Sequence, residues 1–115
     1  MPVTIYHNPK CSTSHKVLET LKARGAKPRI VEYLKDPPDR KTLQALLKAM
    51  RMEPRDLLRR RGTPYDELDL DNPGLSRERL IDAMLQHPIL IERPIVVTDK
   101  GTRLCRPPER LEEIL

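Results

Sequence analysis

Residues 3–25 read VTIYHNPKCSTSHKVLETLKARG, and this stretch decides the fold. The apolar, β-prone residues 3–6 predict a short strand, which the polar residues 7–9 end. A helix is predicted from Ser12, and Gly25 stands where a glycine commonly ends one. The apolar side chains of this helix share one face: Val17, Leu18 and Leu21. The segment is therefore a strand, a polar turn and a helix, with a cysteine where the helix begins.

The rest of the chain continues the alternation of strands and helices. The pattern predicts a strand at 30–34, helices at 39–50, 54–61 and 76–86, a β-hairpin at 95–104 and a last helix to 115. This order predicts an α/β protein with a thioredoxin-like mixed sheet of about four strands, flanked by helices. We expect one domain over residues 1–115, with a helical insertion at about 39–87 between the two halves of the sheet.

Composition and charge exclude several classes of protein. The chain has 22 Lys and Arg residues against 17 Asp and Glu residues, a formal net charge of +5, which favours an anionic partner or substrate. No apolar run is long enough to span a membrane, and the first residues lack the pattern of a secretory signal. Two cysteines are too few for a disulfide framework, so we expect reduced thiols and a cytoplasmic location.

Cys11 is placed for thiolate chemistry. The first turn of a helix has free N–H groups and the positive end of the helix dipole, and both stabilise a thiolate. The same N–H groups can bind an oxyanion beside the sulfur. Short hydrogen-bonding side chains surround the position: Asn8, Ser12, Thr13 and Ser14. A nucleophile beside an anion cradle therefore fits this segment better than a small packing residue, which would lie in an apolar stripe.

Other cysteine chemistries fit less well. A Cys-x-x-Cys redox pair needs cysteine at position 14, where Ser14 stands, and a phosphatase-type loop needs arginine at position 17, where Val17 stands. His7 and His15 flank Cys11 at spacings of four, but three candidate ligands at this spacing are weak support for a metal site, so we expect none. For His7, a local structural hydrogen bond and a role in orienting Cys11 both remain open.

Any guanidinium group that binds an anion beside Cys11 must come from elsewhere in the chain. Arg93 precedes Pro94 at the entry to an apolar strand, in a peptide bond that can be cis. Arg106 lies at a predicted strand-to-helix corner, and Arg59 lies near a predicted helix end. Arginine suits a tetrahedral oxyanion because its planar fork donates hydrogen bonds in pairs. A surface salt bridge remains the alternative for each, and the pattern does not separate Arg59 from Arg60.

Three segments carry a resemblance to a known family. Residues 5–14 (IYHNPKCSTS), 87–97 (HPILIERPIVV) and 101–108 (GTRLCRPP) resemble, in order, the signatures of the glutaredoxin-dependent arsenate reductases. The similarity extends over essentially the whole chain. It implies a thioredoxin-like fold and the reduction of arsenate to arsenite.

The resemblance also implies a role for each candidate site residue. The nucleophile is Cys11, the supporting residues are His7 and Ser14, and the oxyanion-binding residues are Arg59, Arg93 and Arg106. Glutathione is implied as co-substrate and glutaredoxin as the protein that regenerates the cysteine. No bound cofactor and no metal are implied, and we expect a monomer. Cys105 is expected to pack in the core rather than to act as a resolving thiol.

Other functions stay open beside this one. A glutathione-dependent thiol–disulfide reductase would use the same cysteine without needing arsenate. A non-enzymatic thioredoxin-like regulator that binds RNA polymerase would typically carry a Cys-x-x-Cys switch, against which Ser14 argues. Nucleic-acid binding is not expected, because the chain has no Phe or Trp and its 3 Tyr are scattered, so no stacking platform is evident.

Overall fold

The computed structural model describes residues 2–115, and its helices and strands follow the predicted order. In that range the elements are β1 (Thr4–His7), α1 (Ser12–Ala23), β2 (Arg29–Glu32), α2 (Arg40–Met50), α3 (Pro54–Leu57), α4 (Arg77–Gln86), β3 (Ile95–Thr98) and β4 (Gly101–Leu104). Two 3-10 helices cover Pro88–Leu90 and Pro108–Ile114. The chain divides into a sheet unit, which runs to Asp36 and resumes at Arg93, and a helical unit, Pro37–Glu92.

The sheet is mixed, as predicted. Its strand order is β2-β1-β3-β4, with β1 parallel to β2 and antiparallel to β3, and with β3 antiparallel to β4. Thr98 pairs with Gly101, so two residues form the turn of the β3–β4 hairpin. The prediction of an α/β fold with a four-stranded mixed sheet and flanking helices is therefore confirmed.

One hydrophobic core holds the sheet unit together. It combines the predicted apolar face of α1 with strand residues and the C-terminal 3-10 helix: Val3, Ile5, Val17, Leu18, Leu21, Val96, Cys105, Leu111 and Ile114. Gly101 allows a close approach to this helix, because a Cβ at that position would lie 3.2 Å from Ile114 Cγ2 and its φ is +151°. The core fixes α1 against the sheet, and with it the cysteine where the helix begins.

Two helices of the helical unit, α2 and α4, begin at the predicted caps. The Asp39 side chain accepts a hydrogen bond from the Thr42 N–H at 2.8 Å, and the Ser76 hydroxyl oxygen accepts one from the Arg79 N–H at 3.2 Å. The buried apolar side chains of the three helices and the first 3-10 helix include Leu43, Leu46, Leu47, Leu57, Leu80, Ile81, Met84 and Leu90. This unit covers the region predicted as an insertion at about 39–87. That residues 1–115 form a single domain stays a prediction.

The predicted helix over 54–61 is wrong in its length. It ends at Leu57, and the chain then runs extended, with Leu58 and Ile91 in an antiparallel bridge. The Arg59 N–H donates to the Leu90 carbonyl at 2.7 Å, and the Glu92 N–H donates to the Leu57 carbonyl at 2.9 Å. Backbone pairing with residues 90–92 replaces the helical hydrogen bonds, so Arg59 stands on an extended segment. The last helix is a 3-10 helix, and no helix among residues 2–115 is long and apolar enough to cross a membrane.

Two isoleucines that are paired in register test how the core stabilises the sheet unit. Ile5 on β1 is 0% exposed, whereas its partner Ile30 on β2 is 43% exposed. We expect Ile5→Ala to lower the free energy of unfolding by about 3 kcal/mol, because it removes buried methyl groups and leaves a cavity. Ile30→Ala should change it by less than about 1 kcal/mol. Urea unfolding followed by circular dichroism measures both, and equal losses would contradict the position of this core.

Candidate active site

The loop between β1 and α1 forms a tight turn that ends at Cys11. The Asn8 carbonyl accepts a hydrogen bond from the Cys11 N–H at 3.0 Å, and the Asn8 Oδ1 accepts one from the Lys10 N–H at 2.9 Å. Cys11 is the N-cap of α1 with extended backbone angles, and its carbonyl accepts the His15 N–H at 3.1 Å. The half-buried thiol therefore lies at the positive end of a 12-residue helix.

Arg106 and Arg93 reach the same place from the open end of the β3–β4 hairpin. Arg93 lies just before β3 and Arg106 just after β4, and Ile95 pairs with Leu104 between them. The Arg106 Nη1 donates to the Cys11 sulfur at 3.8 Å and to the Arg93 carbonyl at 3.1 Å. Arg93 is buried, at 7% exposure. The peptide bonds from Arg93 and Arg106 to their following prolines are both cis, a geometry that the sequence analysis noted as open to the first.

The pKa of the Cys11 thiol reflects this setting. Burial by itself raises the pKa, because it removes water from the thiolate. The backbone N–H of Ser14 and the guanidinium groups of Arg93 and Arg106 favour the thiolate more strongly, so the pKa of Cys11 lies below its ordinary value. A cysteine with a lowered pKa and partial exposure can act as a nucleophile near neutral pH.

Ser14 connects His7 to the cysteine loop. Its side chain is fully buried, and its hydroxyl oxygen lies 2.6 Å from the His7 Nδ1 and accepts the Asn8 N–H at 3.1 Å. The Ser14 hydroxyl can donate to the His7 Nδ1 or accept from it, according to the tautomer of His7. Burial lowers the pKa of His7 below its ordinary value, and the nearby His15 adds to this effect. His7 thus contacts the hydroxyl of the residue whose backbone N–H favours the thiolate.

Arg59 makes its contacts within the helical unit. Its Nη1 donates to the Glu92 Oε1 at 2.9 Å, with both side chains about one-fifth exposed. Its Nε donates to the Arg61 carbonyl at 3.0 Å. Arg60 instead pairs with Asp66 and is exposed. A role for Arg59 in anion binding beside Cys11 stays a prediction, as do the roles assigned to the other site residues.

The second cysteine differs from Cys11 in every respect that decides reactivity. Cys105 is fully buried in the core of the sheet unit, and burial raises its pKa to about 12. Its sulfur lies 3.7 Å from the Arg103 carbonyl, to which the protonated thiol donates. A protonated, enclosed thiol cannot attack a disulfide, so Cys105 is a packing residue. Among residues 2–115 no group of three or more His, Cys, Asp or Glu side chains could hold a metal ion.

Two contributions to the site were missed by sequence reasoning. Asn8 was noted only as one of several polar side chains, yet the Asn-Pro pair that follows β1 is typical of a side-chain turn. His15 was considered only as a metal ligand. Its Nε2 donates to the Pro9 carbonyl at 2.5 Å. Its ring lies edge-on to the His7 ring, with 4.9 Å between the two ring centroids. Its position one helical turn after Cys11 is the signal that could have found this contact.

Removal of the Arg106 guanidinium should make the Cys11 sulfur less reactive. We expect Arg106→Ala to slow alkylation of Cys11 by iodoacetamide at pH 7 on the order of tenfold, because a charge that favours the thiolate is lost. Iodoacetamide is uncharged, so the arginine does not attract the reagent itself. Arg103→Ala is the matched control, since Arg103 pairs with Glu113 at 2.9 Å. Equal rates for the two variants would show that Arg106 does not stabilise the thiolate.

Comparisons with known proteins agree with this fold and this site. A family model described as the ArsC family matches residues 6–114. An arsenate reductase of Rhizobium meliloti (strain 1021) is 52% identical over 115 residues, which cover 100% of this chain and 82% of that protein. The uncharacterized protein YfgD of Escherichia coli (strain K12) is 47% identical over 114 residues, 98% of this chain and 96% of that protein.

A solved structure titled arsenate reductase from Vibrio cholerae has a TM-score of 0.95 and 43% identity, and the match covers 100% of this chain and 98% of that one. It confirms the thioredoxin-like fold that the sequence predicted. The matched range of the family model includes Cys11, Arg93 and Arg106. The chain therefore belongs to the ArsC family.

Proposed function

We propose that this protein reduces arsenate to arsenite, with Cys11 as the nucleophile. The observation that carries the proposal is the Arg106 Nη1 at 3.8 Å from a half-buried cysteine sulfur whose pKa is lowered. A nucleophile beside fixed guanidinium groups is the arrangement that attack on a tetrahedral oxyanion requires. Proteins named arsenate reductase, with 52% and 43% sequence identity to this chain, support arsenate as that anion.

The proposed reaction balances with two thiols as the source of electrons. The Cys11 thiolate attacks arsenic(V), an As–S bond forms, and a protonated oxygen leaves as water. Glutathione then adds its thiol to the Cys11 adduct. The two sulfurs join as a mixed disulfide, and the As–S bond breaks. The two electrons that the sulfurs lose reduce arsenic(V) to arsenic(III), which leaves as arsenite. Glutaredoxin restores the Cys11 thiol by reducing the mixed disulfide.

The anion in this reaction is held by arginine side chains. We propose that Arg93, Arg106 and Arg59 bind the oxyanion and offset the negative charge that develops as the sulfur attacks. His7 and Ser14 are proposed to keep the first turn of α1 in the conformation that favours the thiolate. The buried hydrogen bond of 2.6 Å between their side chains supports this role.

An external reductant is part of the proposal because the chain offers no internal one. Serine stands at position 14, and the pKa of the buried Cys105 is raised to about 12. Neither residue can resolve an adduct on Cys11. We therefore propose glutathione and glutaredoxin as partners of a monomer in the cytoplasm, where soluble thiols are kept reduced.

Coupled turnover tests the proposed function. We expect arsenate-dependent NADPH oxidation in the presence of glutathione, glutaredoxin and glutathione reductase, and we expect Cys11→Ser to reduce it to background. Cys105→Ala should retain at least about half of the rate, because a buried, protonated thiol takes no part in the reaction. Circular dichroism verifies that both variants are folded.

Three results would contradict the proposal. No arsenate-dependent rate in the wild-type protein would remove the assigned substrate. Turnover of a glutathione mixed disulfide that is unaffected by Arg93→Lys and Arg106→Lys would indicate a thiol–disulfide reductase instead. Recovery of RNA polymerase by the wild-type protein, with no turnover of either substrate, would favour the regulator.

The predicted role of Arg59 is tested against its neighbour. We expect Arg59→Ala to raise the KM for arsenate on the order of tenfold, because it removes a hydrogen bond between charged groups. Arg60→Ala is the control, since its exposed ion pair with Asp66 should leave KM within about twofold. Initial rates over a range of arsenate concentrations separate the two variants. A larger effect at Arg60 would reassign the binding residue.

A further inference from the structure

We propose that Asn8 is a positioning residue for the reaction, which fixes the Cys11 sulfur in contact with the Ser14 N–H and the Arg106 guanidinium. This inference rests on the proposed role of Cys11 as nucleophile. It concerns a residue that touches neither the reacting atoms nor the anion and acts through the cysteine loop alone.

Asn8 is a polar residue with almost no exposure, and it bonds to three parts of the loop. At 2% exposure, it accepts the Lys10 N–H on its Oδ1 at 2.9 Å and the Cys11 N–H on its carbonyl at 3.0 Å. Its own N–H donates to the Ser14 hydroxyl oxygen at 3.1 Å. One residue therefore connects the end of β1, the turn before the cysteine and the first turn of α1.

The two bonds that Asn8 accepts close overlapping turns across residues 8–11. The side-chain oxygen holds the Lys10 N–H, and the backbone carbonyl holds the Cys11 N–H one residue further on. Pro9 lies inside both turns, and its ring fixes its own φ. The Cys11 backbone consequently has little freedom to rotate, and the direction of its Cα–Cβ bond, from which the sulfur extends, is fixed with it.

The contacts of the sulfur depend on that direction. The Arg106 Nη1 is already 3.8 Å from the Cys11 sulfur, and hydrogen bonds weaken steeply as distance and angle depart from their optimum. A looser turn would move the sulfur away from the donors that favour its thiolate. Arg93 and Arg106 would stay in place, because the β3–β4 hairpin holds them independently of the loop.

Loss of the Asn8 side chain should therefore affect the attack and not the binding of the anion. We expect a lower kcat with an unchanged KM, since near-attack geometry is lost while the guanidinium groups still hold the substrate. We also expect the midpoint of the pH profile for Cys11 alkylation to move to higher pH. A residue that only fills space would lower stability without shifting that midpoint.

The chain contains a matched control for the experiment. Asn72 is the other asparagine, it also precedes a proline, and its Oδ1 accepts the Gly74 N–H two residues on at 2.8 Å. The same side-chain turn is thus present in the helical unit. Asn72→Ala removes the turn chemistry there, and it should leave the alkylation profile of Cys11 and the value of kcat as in the wild type.

The experiment compares Asn8→Ala, Asn8→Ser and Asn72→Ala in the full chain. Alkylation by iodoacetamide is followed from about pH 5 to about pH 10. This range covers the titration of a thiol with a lowered pKa and of one with an ordinary pKa. We expect Asn8→Ala to slow alkylation at pH 7 on the order of tenfold, with the rate at high pH retained. Serine can also accept an N–H two residues on, though more weakly, so Asn8→Ser should fall between wild type and Asn8→Ala.

An unchanged alkylation profile in folded Asn8→Ala would overturn the proposal, as would an equal slowing in Asn72→Ala. If Asn8→Ala does not fold, Asn8→Ser decides: a shifted midpoint supports the proposal and a wild-type midpoint overturns it. Alkylation requires no arsenate. A shifted profile in a protein that fails to turn over arsenate would therefore uphold the positioning role while removing the proposed function.

Discussion

A cysteine thiolate persists at neutral pH where positive charge or N–H donors take over from the water that burial removes. In this protein the Ser14 N–H and the guanidinium groups of Arg93 and Arg106 supply that replacement. One of these contacts joins the Cys11 sulfur to the Arg106 guanidinium. The two residues are 95 positions apart in the chain, so the contact exists only once the sheet has formed. The chemistry of the thiol is thereby tied to the stability of the sheet unit.

The β3–β4 hairpin explains why the position of Arg106 depends on the sheet. Its register places Ile95 opposite Leu104, and the Cys105 N–H donates to the Pro94 carbonyl at 2.9 Å just beyond the strands. Both arginines therefore lie at one end of a short, paired ribbon. Since Cys105 packs in the core directly before Arg106, the core anchors the chain from which that guanidinium extends.

Much of the fold could be predicted because its signals are local. The strand–turn–helix at residues 3–25, the caps at Asp39 and Ser76 and the hairpin at 95–104 each follow from short patterns of residue type. The end of α3 could not be predicted in this way. The helix ends before Leu58 because that segment pairs with residues 90–92. Nothing in the sequence around Leu58 indicates that residues 90–92 are its pairing partner.

The candidate site shows the same division between local and distant signals. Cys11 was singled out by its position before a helix, which is a local signal. Arg93 and Arg106 were candidates by their positions beside prolines, but that pattern is equally compatible with a surface salt bridge, and only the resemblance assigned them to the cysteine. The link from Ser14 to His7 and Asn8 also lay beyond reach, since the partners of a buried hydroxyl are set by tertiary packing.

The serine at position 14 and the enclosed Cys105 have a consequence for oxidative damage. If peroxide converts the Cys11 sulfur to a sulfenic acid, no second thiol of the chain can condense with it to form an intramolecular disulfide. A small thiol from solution can still reduce the sulfenic acid, whereas a second equivalent of peroxide oxidises it to the irreversible sulfinic state. The lifetime of active protein under oxidative stress is thus set by the supply of low-molecular-weight thiols around it, and no repair is encoded in the fold itself.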